Sequence, residues 1–365
     1  MSLALPRAVL VTAEPAGLVS GNNTTIERFE RRLRARGLDV LLLRLPLLGA
    51  GAGLLDAARA FHPEVVHALH ARHAGPAAAS VSRALSVPLV VTSGGTDLDQ
   101  DAFDPARLAI VREVLTQARV LLVTHPAAER TATALGLPLR VLRIPKGAEP
   151  PPPRPAPDRG RFGIGPDEVL FVLPAGVRPV KNNRFPIEPL SRLRAEGLPV
   201  RLLFAGPARD EAYAAALRAD LEAHPFATWP GTYLGADREV LYATTDVLLN
   251  VSHSEGGANA ILEAMVRGCT VLGGTIPGNE VFLRADGDGP EAGLLYRAEP
   301  TDDPRLRRHD PDDFLRLARE LALSPARRAT LSAAARERAR VFHDPDAEVD
   351  GILLGYRLAL AARQK

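Results

Sequence analysis

The chain has 365 residues, 46% of them hydrophobic, a formal net charge of +2 and a single cysteine, Cys269. That length suits two domains with a core each, and one cysteine excludes an internal disulfide framework and fits a reducing compartment. Its basic residues are spread along the chain rather than gathered into a nucleic-acid footprint, no apolar run reaches the ~18 residues of a membrane span, and no basic segment leads an apolar stretch as in a signal peptide; a cytoplasmic protein is expected.

Short apolar runs at residues 8–13, 40–45, 65–69, 88–92, 120–124 and 140–144 are nearly continuous in Val and Leu, as parallel strands covered on both faces require. Between them lie helical patterns such as residues 24–36, with Ile26, Phe29 and Leu33 on one face. Repeated β-α units predict a doubly wound α/β sheet. A proline run between Glu149 and Asp158 is a stiff connector that neither helix nor central strand tolerates. The alternation restarts at residues 169–173, 200–205, 246–251 and 270–273, and a terminal helix is predicted over about 346–362. The expected division is residues 1–150, residues 151–340, and a last segment, 341–365.

The most informative stretch is Ser252 to Glu280. Strand, glycine turn, helix, strand and second glycine turn follow one another, with Glu255 and Glu263 in an E-x7-E spacing. A helix starting just after Gly256 and Gly257 turns free N–H groups toward the strand ends and favours a diphosphate. Glycines there allow close backbone approach, and carboxylates suit sugar hydroxyls. Eight helical residues rise about 12 Å, too far for the paired carboxyls of a glycosidase, which stand about 5–9.5 Å apart. Taken alone, the two glutamates read equally well as solvated residues of an amphipathic helix.

The surrounding residues tip that balance. SEGGANAILEAMVRGCTVLGG closely resembles the donor-site signature of the retaining, family-4 glycosyltransferases of GT-B fold. The resemblance implies that Glu255 contacts donor-sugar hydroxyls, that Glu263 holds the ribose, and that the backbone of Gly256, Gly257, Ala258, Asn259 and Ala260 lies along sugar and phosphates. Upstream, AGVRPVKN resembles the family's basic loop, in which Arg178 and Lys181 would stabilise the departing diphosphate. Lysine stands only at Lys146, Lys181 and Lys365, which makes an internal one notable. Gly231, Thr232, Tyr233 and Leu234 resemble the loop beside the nucleobase, and Gly206 a turn facing the cleft.

The first half is matched more loosely. Gly21 and Asn22, in SGNNTT, resemble a glycine loop over the donor phosphates, although Thr24 or Thr25 also reads as a plain helix N-cap. His70, Arg72, Gly95, Thr96 and Asp97 are acceptor-side candidates. Many family members carry a histidine where Gly94 stands here, which leaves the donor sugar open. GGTD, VRPVK and IPGN narrow the resemblance to the branch of glycosyltransferase 1 domain-containing proteins, with the selenosugar synthases second.

His67, His70 and His73 imitate a metal cluster, but 67 and 70 fall on opposite faces of a strand and no matching Cys/Asp set accompanies them. Asp97-Leu-Asp99 imitates the D-x-D of another transferase fold. No metal and no cofactor are expected beyond the nucleotide sugar as co-substrate.

The resemblance implies two Rossmann-like domains facing across a cleft, the last helix crossing back to the first. The reaction it implies is retaining transfer from a nucleotide sugar, a UDP-sugar by preference, to a small-molecule, glycan or lipid acceptor that the sequence does not identify. Neither nucleic acid nor membrane contact is indicated. The alternatives are a selenosugar or thiosugar synthase with an anion pocket near Arg72 and Gly21, a nucleotide-sugar epimerase, and a non-catalytic sugar-nucleotide binder.

Overall fold

The computed structural model describes residues 5–18, 20–48, 52–284 and 291–361. The chain forms two compact units, Met1–Gly147 with His343–Lys365, and Ala148–Phe342.

The first unit is a parallel sheet of β1 (Ala8–Thr12), β2 (Val40–Arg44), β3 (Val65–Leu69), β4 (Leu89–Thr92), β5 (Ala118–Val123) and β6 (Arg140–Arg143), in the order β2-β1-β3-β4-β5-β6. Successive residues of a strand face opposite sides. Val9 and Val11 therefore join the core under helices Ala52–Phe61, Gly75–Leu85 and Pro105–Gln117, while Ala8 and Leu10 join the core under helices Gly21–Ala35 and Pro345–Ala361. Burial on both faces explains the unbroken apolar runs. Helix Gly21–Ala35 starts earlier than either threonine: Ser20 is the N-cap and accepts from the Asn23 N–H at 3.0 Å, while Thr25 bonds back to the Gly21 carbonyl within the helix. Thr24 and Thr25 are thus interior positions, because Ser20 already supplies the capping oxygen.

The C-terminal helix Pro345–Ala361 completes this unit across more than three hundred residues of sequence. Its Glu348 carboxylate takes both Nε and a terminal nitrogen of Arg28, at 2.7 and 2.8 Å, with the two side chains 2% and 4% exposed. Its Tyr356 hydroxyl meets His67 Nδ1 at 2.9 Å, and His67 Nε2 meets Thr92 Oγ1 at 2.7 Å. Gly351 and Gly355 let the helix press onto Ile144 and Leu122.

The second unit repeats the plan with β7 (Val169–Leu173), β8 (Val200–Ala205), β9 (Ala227–Gly231), β10 (Val247–Asn250), β11 (Thr270–Gly274) and β12 (Leu294–Tyr296), ordered β12-β11-β10-β7-β8-β9 and all parallel. A hairpin of β13 (Ala298–Pro300) and β14 (Arg307–His309) follows. Strands β9 and β12 and the hairpin are absent from the sequence-based expectation. The proline run is irregular, as its composition dictates. In each sheet the chain runs outward on one side and returns on the other. The order therefore reverses between β1 and β3 in the first unit, and between β7 and β10 in the second. Loops at the carboxyl ends of such strands form the binding crevice of open α/β sheets.

Two consequences are measurable. Removing one partner of a buried, hydrogen-bonded ion pair leaves the other uncompensated. Glu348→Ala should destabilise the first unit by ~3–5 kcal/mol in chemical denaturation, and Arg28→Met with Glu348→Leu should recover most of that loss. Burial also lowers the His67 pKa to about 3. The unfolded chain takes up a proton below its ordinary ~6.5 while the folded chain does not. His67 stability is therefore complete above pH 6.5 and falls away toward pH 3, by about 2 kcal/mol between pH 6.5 and 5. His67→Gln should flatten that part of the pH–stability curve.

Candidate functional site

The second unit's reversal point carries the strongest constellation. After β7 the chain is zipped to the loop after β8: the Val177 N–H donates to the Pro207 carbonyl at 2.9 Å and the Arg209 N–H to the Val177 carbonyl at 3.0 Å. Gly206 permits this closeness, since a Cβ there would lie 2.2 Å from the Ala175 carbonyl oxygen. Its role is scaffold for the basic loop. Residues Pro179–Lys181 then form one tight 3-10 turn, closed by Asn182 in the left-handed region at φ 50°. Asn183 accepts the Arg178 N–H through its side chain. The Arg178 side chain is exposed and makes no hydrogen bond or ion pair among the described residues.

Across the reversal, the loop after β10 holds Glu255. Its Oε1 accepts from Lys181 Nζ at 2.5 Å, Ser252 Oγ at 2.7 Å and Asn250 Nδ2 at 3.2 Å. The loops are tied by backbone as well, the His253 N–H donating to the Val180 carbonyl at 2.9 Å. Burial pushes the Glu255 pKa up, but the Lys181 ammonium and the hydrogen bonds from Lys181, Ser252 and Asn250 outweigh it and hold the carboxyl below its ordinary value. Gly257, at φ 103°, makes a turn that a side-chain-bearing residue would strain. Helix Asn259–Arg267 follows, with Ala258 at the N-cap offering no side-chain cap. The positive end of the helix dipole thus opens beside Lys181 and Glu255.

Glu263 lies in the second turn of that helix. Its Oε2 accepts from the Tyr242 hydroxyl at 2.8 Å, and Arg238 lies 3.8 Å from its Oε1. Burial, then the Glu263 charge, pushes the Tyr242 pKa far up, so the phenol stays a donor. Arg267 grips Glu239 with two bonds of 2.7 Å and lies over the Tyr242 ring, fixing the phenol from behind. In the loop after β9, Gly231 takes φ 109°, Thr232 and Leu234 are exposed, and half-buried Tyr233 packs edge-on against Phe162 at 5.3 Å.

The loops after β1, β3 and β4 of the first unit hold the remaining candidates, with several reassigned. Gly21 and Asn22 open helix Gly21–Ala35. Asp97 is fully buried and accepts from the Ala71, Gly94, Gly95 and Leu98 N–H groups and from Ser93 Oγ, at 2.6–3.2 Å. Both its oxygens are taken, so Asp97 braces two loops and offers nothing to an acceptor. Gly95, at φ 98°, is the turn that makes this possible. His70 is 1% exposed rather than open to a crevice. Its Nδ1 accepts from the Arg72 and His73 N–H groups, which leaves the proton on Nε2 to reach Thr96 Oγ1 at 2.8 Å. The Arg72 guanidinium is engaged too, by Asp101 at 2.7 Å and by His73. It is a half-neutralised cation, not a free anion pocket. Ligand atoms of His70, His73 and Asp101 lie within 4.8 Å of one another, but Arg72 already provides the positive charge among them.

The departure at Gly94 has a spatial reason. A Cβ there would lie 2.6 Å from the His70 ring. The imidazole of the neighbouring loop fills the place a side chain at 94 would need.

Sequence reasoning missed Asn250, Ser252, His253, Tyr242 and Arg238. Ser252 and His253 stand inside the recognised stretch, and their polarity on a buried strand end was the available signal. His253 Nδ1 accepts from the Arg307 N–H and approaches His309, whose pKa burial lowers to about 3. This neutral pair ties the hairpin to the Glu255 loop.

Comparison with known proteins bears on the family and the fold. Residues 7–147 match the family described as glycosyl transferase 4-like domain, and residues 166–306 that described as glycosyl transferases group 1. Glycosyltransferase 1 domain-containing protein 1 of Xenopus tropicalis is 26% identical over 321 residues, covering 84% of this chain and 85% of that protein. Among solved structures, sucrose-phosphate synthase of Thermosynechococcus elongatus superposes with TM-score 0.75 at 19% identity, over 98% of this chain and 100% of that one. Anabaena HepE in complex with UDP and glucose gives 0.73 at 15%, over 95% and 98%. No helix among the described residues is long and apolar enough to cross a membrane. These solved structures share the two-sheet fold; with residues 7–147 and 166–306 matched to successive glycosyltransferase domains, the chain belongs to the family-4-like glycosyltransferases of GT-B fold.

Proposed function

We propose that this glycosyltransferase takes its sugar from a UDP-sugar and transfers it with retention of anomeric configuration. The observation that carries the reading is the meeting of Lys181, Glu255 and the start of helix Asn259–Arg267 at one strand-order reversal, with Glu263 one turn further on. In this reading the diphosphate lies before helix Asn259–Arg267, where Arg178, Lys181 and the helix dipole take up its charge as it leaves, without a metal ion. Glu263, oriented by Tyr242, receives the ribose hydroxyls. Glu255 receives hydroxyls of the transferred sugar. Anabaena HepE has been solved with UDP-glucose, which supports uridine as the base to try first.

The bond that breaks joins the anomeric carbon to the β-phosphate oxygen. The bond that forms joins the same carbon to the acceptor oxygen on the same face, and the acceptor proton passes to the leaving diphosphate. The acceptor is a hydroxyl compound bound by loops of the first unit, in a cytoplasmic setting. A phosphorylated chalcogen acceptor is the less favoured reading, because the Arg72 guanidinium it would need is shared with Asp101 and His73.

A thermal-shift panel of UDP-, GDP- and ADP-sugars tests the donor. A ligand held at 100 times its Kd stabilises the native state by ~2.7 kcal/mol. UDP-sugars should raise the Tm of the wild type. Lys181→Ala and Glu263→Gln should lose most of the shift. No shift at millimolar concentrations, or equal shifts in both variants, would refute the assignment of this site.

A further inference from the structure

Glu255 is held asymmetrically. All three of its hydrogen bonds fall on Oε1, from Lys181, Ser252 and Asn250. Oε2 makes none among the described residues, on a side chain that is 10% exposed. One of the three donors is itself a cation that a diphosphate would attract. The other two are neutral and belong to the strand end and its loop.

Those two are supported from below. Asn250 Oδ1 accepts the Ser252 N–H at 3.3 Å, which sets the serine hydroxyl toward Glu255. The same Oδ1 lies 3.5 Å from Asn279 Nδ2, and Asn279 donates from that nitrogen to the Gly274 carbonyl at 3.0 Å. Gly278, next in line, is pressed against Glu255: a Cβ there would lie 1.9 Å from the Glu255 carbonyl oxygen and 2.6 Å from its carbon. The IPGN turn at residues 276–279 is thus the floor under the glutamate.

Resting on the donor site described above, we propose that Asn250 and Ser252, braced by the turn at residues 276–279, are the positioning residues of Glu255. They anchor Oε1 so that the carboxylate keeps its place when Lys181 turns to the diphosphate. They leave Oε2 as the atom that meets the donor sugar. Burial with only a single cation as partner would leave Glu255 free to follow that cation. Two neutral donors fixed to the sheet remove this freedom.

The test separates sugar recognition from nucleotide recognition, using the full chain and two probes, UDP-glucose and UDP, titrated calorimetrically. Ser252→Ala and Asn250→Ser should each weaken UDP-glucose by about tenfold, the loss expected for one hydrogen bond to a charged group, while UDP changes by no more than about twofold. Ser252→Thr, which keeps the hydroxyl, should restore UDP-glucose affinity. Gly278→Ala, which displaces the Glu255 backbone, should show the same selective loss. A merely structural role would weaken both probes together, and that result overturns the proposal, as does wild-type affinity for UDP-glucose in both Ser252→Ala and Asn250→Ser. A wild type that binds neither probe overturns the donor-site reading beneath it.

Discussion

The ion pair between Lys181 and Glu255 joins the two loops that diverge where the strand order of the second unit reverses. Parallel strands leave their carboxyl ends in a row, and only at a reversal do neighbouring loops turn apart and open a crevice. Something must then set the spacing of those loops. Here it is one short charge-assisted bond, reinforced by the His253 to Val180 backbone bond beside it. A pair so nearly buried would not recover its desolvation cost by attraction alone. Ser252 and Asn250 supply the further donors, and the helix start adds a fixed positive potential. The charged site is thereby assembled before any ligand arrives, which is what electrostatic preorganisation requires.

A different constraint governs the first unit. Its sheet is complete by β6, yet one of its faces is covered by a helix from the far end of the chain. Arg28 with Glu348 and His67 with Tyr356 are therefore contacts between residues about as distant in sequence as this chain allows. Helix Gly21–Ala35 covers the β1 and β2 side of that face, and Pro345–Ala361 covers the side of β4 and β5, where Val90 and Leu122 lie. Contacts of such sequence separation raise the contact order of the first unit, which slows folding in general.

The strands that the sequence displayed are those whose composition follows from their place. Residues 169–173 and 200–205 lie inside the sheet, covered on both faces, and so read as runs that are apolar except at Arg201. Ala227–Gly231 lies at the sheet edge and carries Trp229, Pro230 and Gly231, which an edge position tolerates and a central one does not. Leu294–Tyr296 is too short to show a period at all. The site was legible at Glu255, Glu263 and Lys181, because a glycine turn before a helix has a local signature. Tyr242 meets Glu263 from another helix, and Asn279 approaches Asn250 from the turn at residues 276–279, and no local pattern announces a hydrogen bond across a fold. Ser20 displaced Thr24 and Thr25 as N-cap because the segment offers several capping residue types, Ser20, Asn22, Asn23, Thr24 and Thr25, and local pattern alone does not choose among them.

Two buried carboxylates, one in each unit, are held in contrasting ways. Asp97 and Glu255 each follow the end of a parallel strand, each near a glycine in the left-handed region, and each is held below its ordinary pKa. Asp97 spends both oxygens on donors of its own chain, four of them backbone N–H groups, and so has no lone pair aimed outward. Its charge is consumed in closing the loop that seats the His70 ring against Gly94. Glu255 receives its donors on one oxygen only, and they are side chains. A carboxylate saturated on both oxygens is a brace, whereas one saturated on a single oxygen keeps an acceptor to offer. By that criterion Asp97 belongs to the scaffold, whereas Glu255 suits the donor-binding role proposed for it.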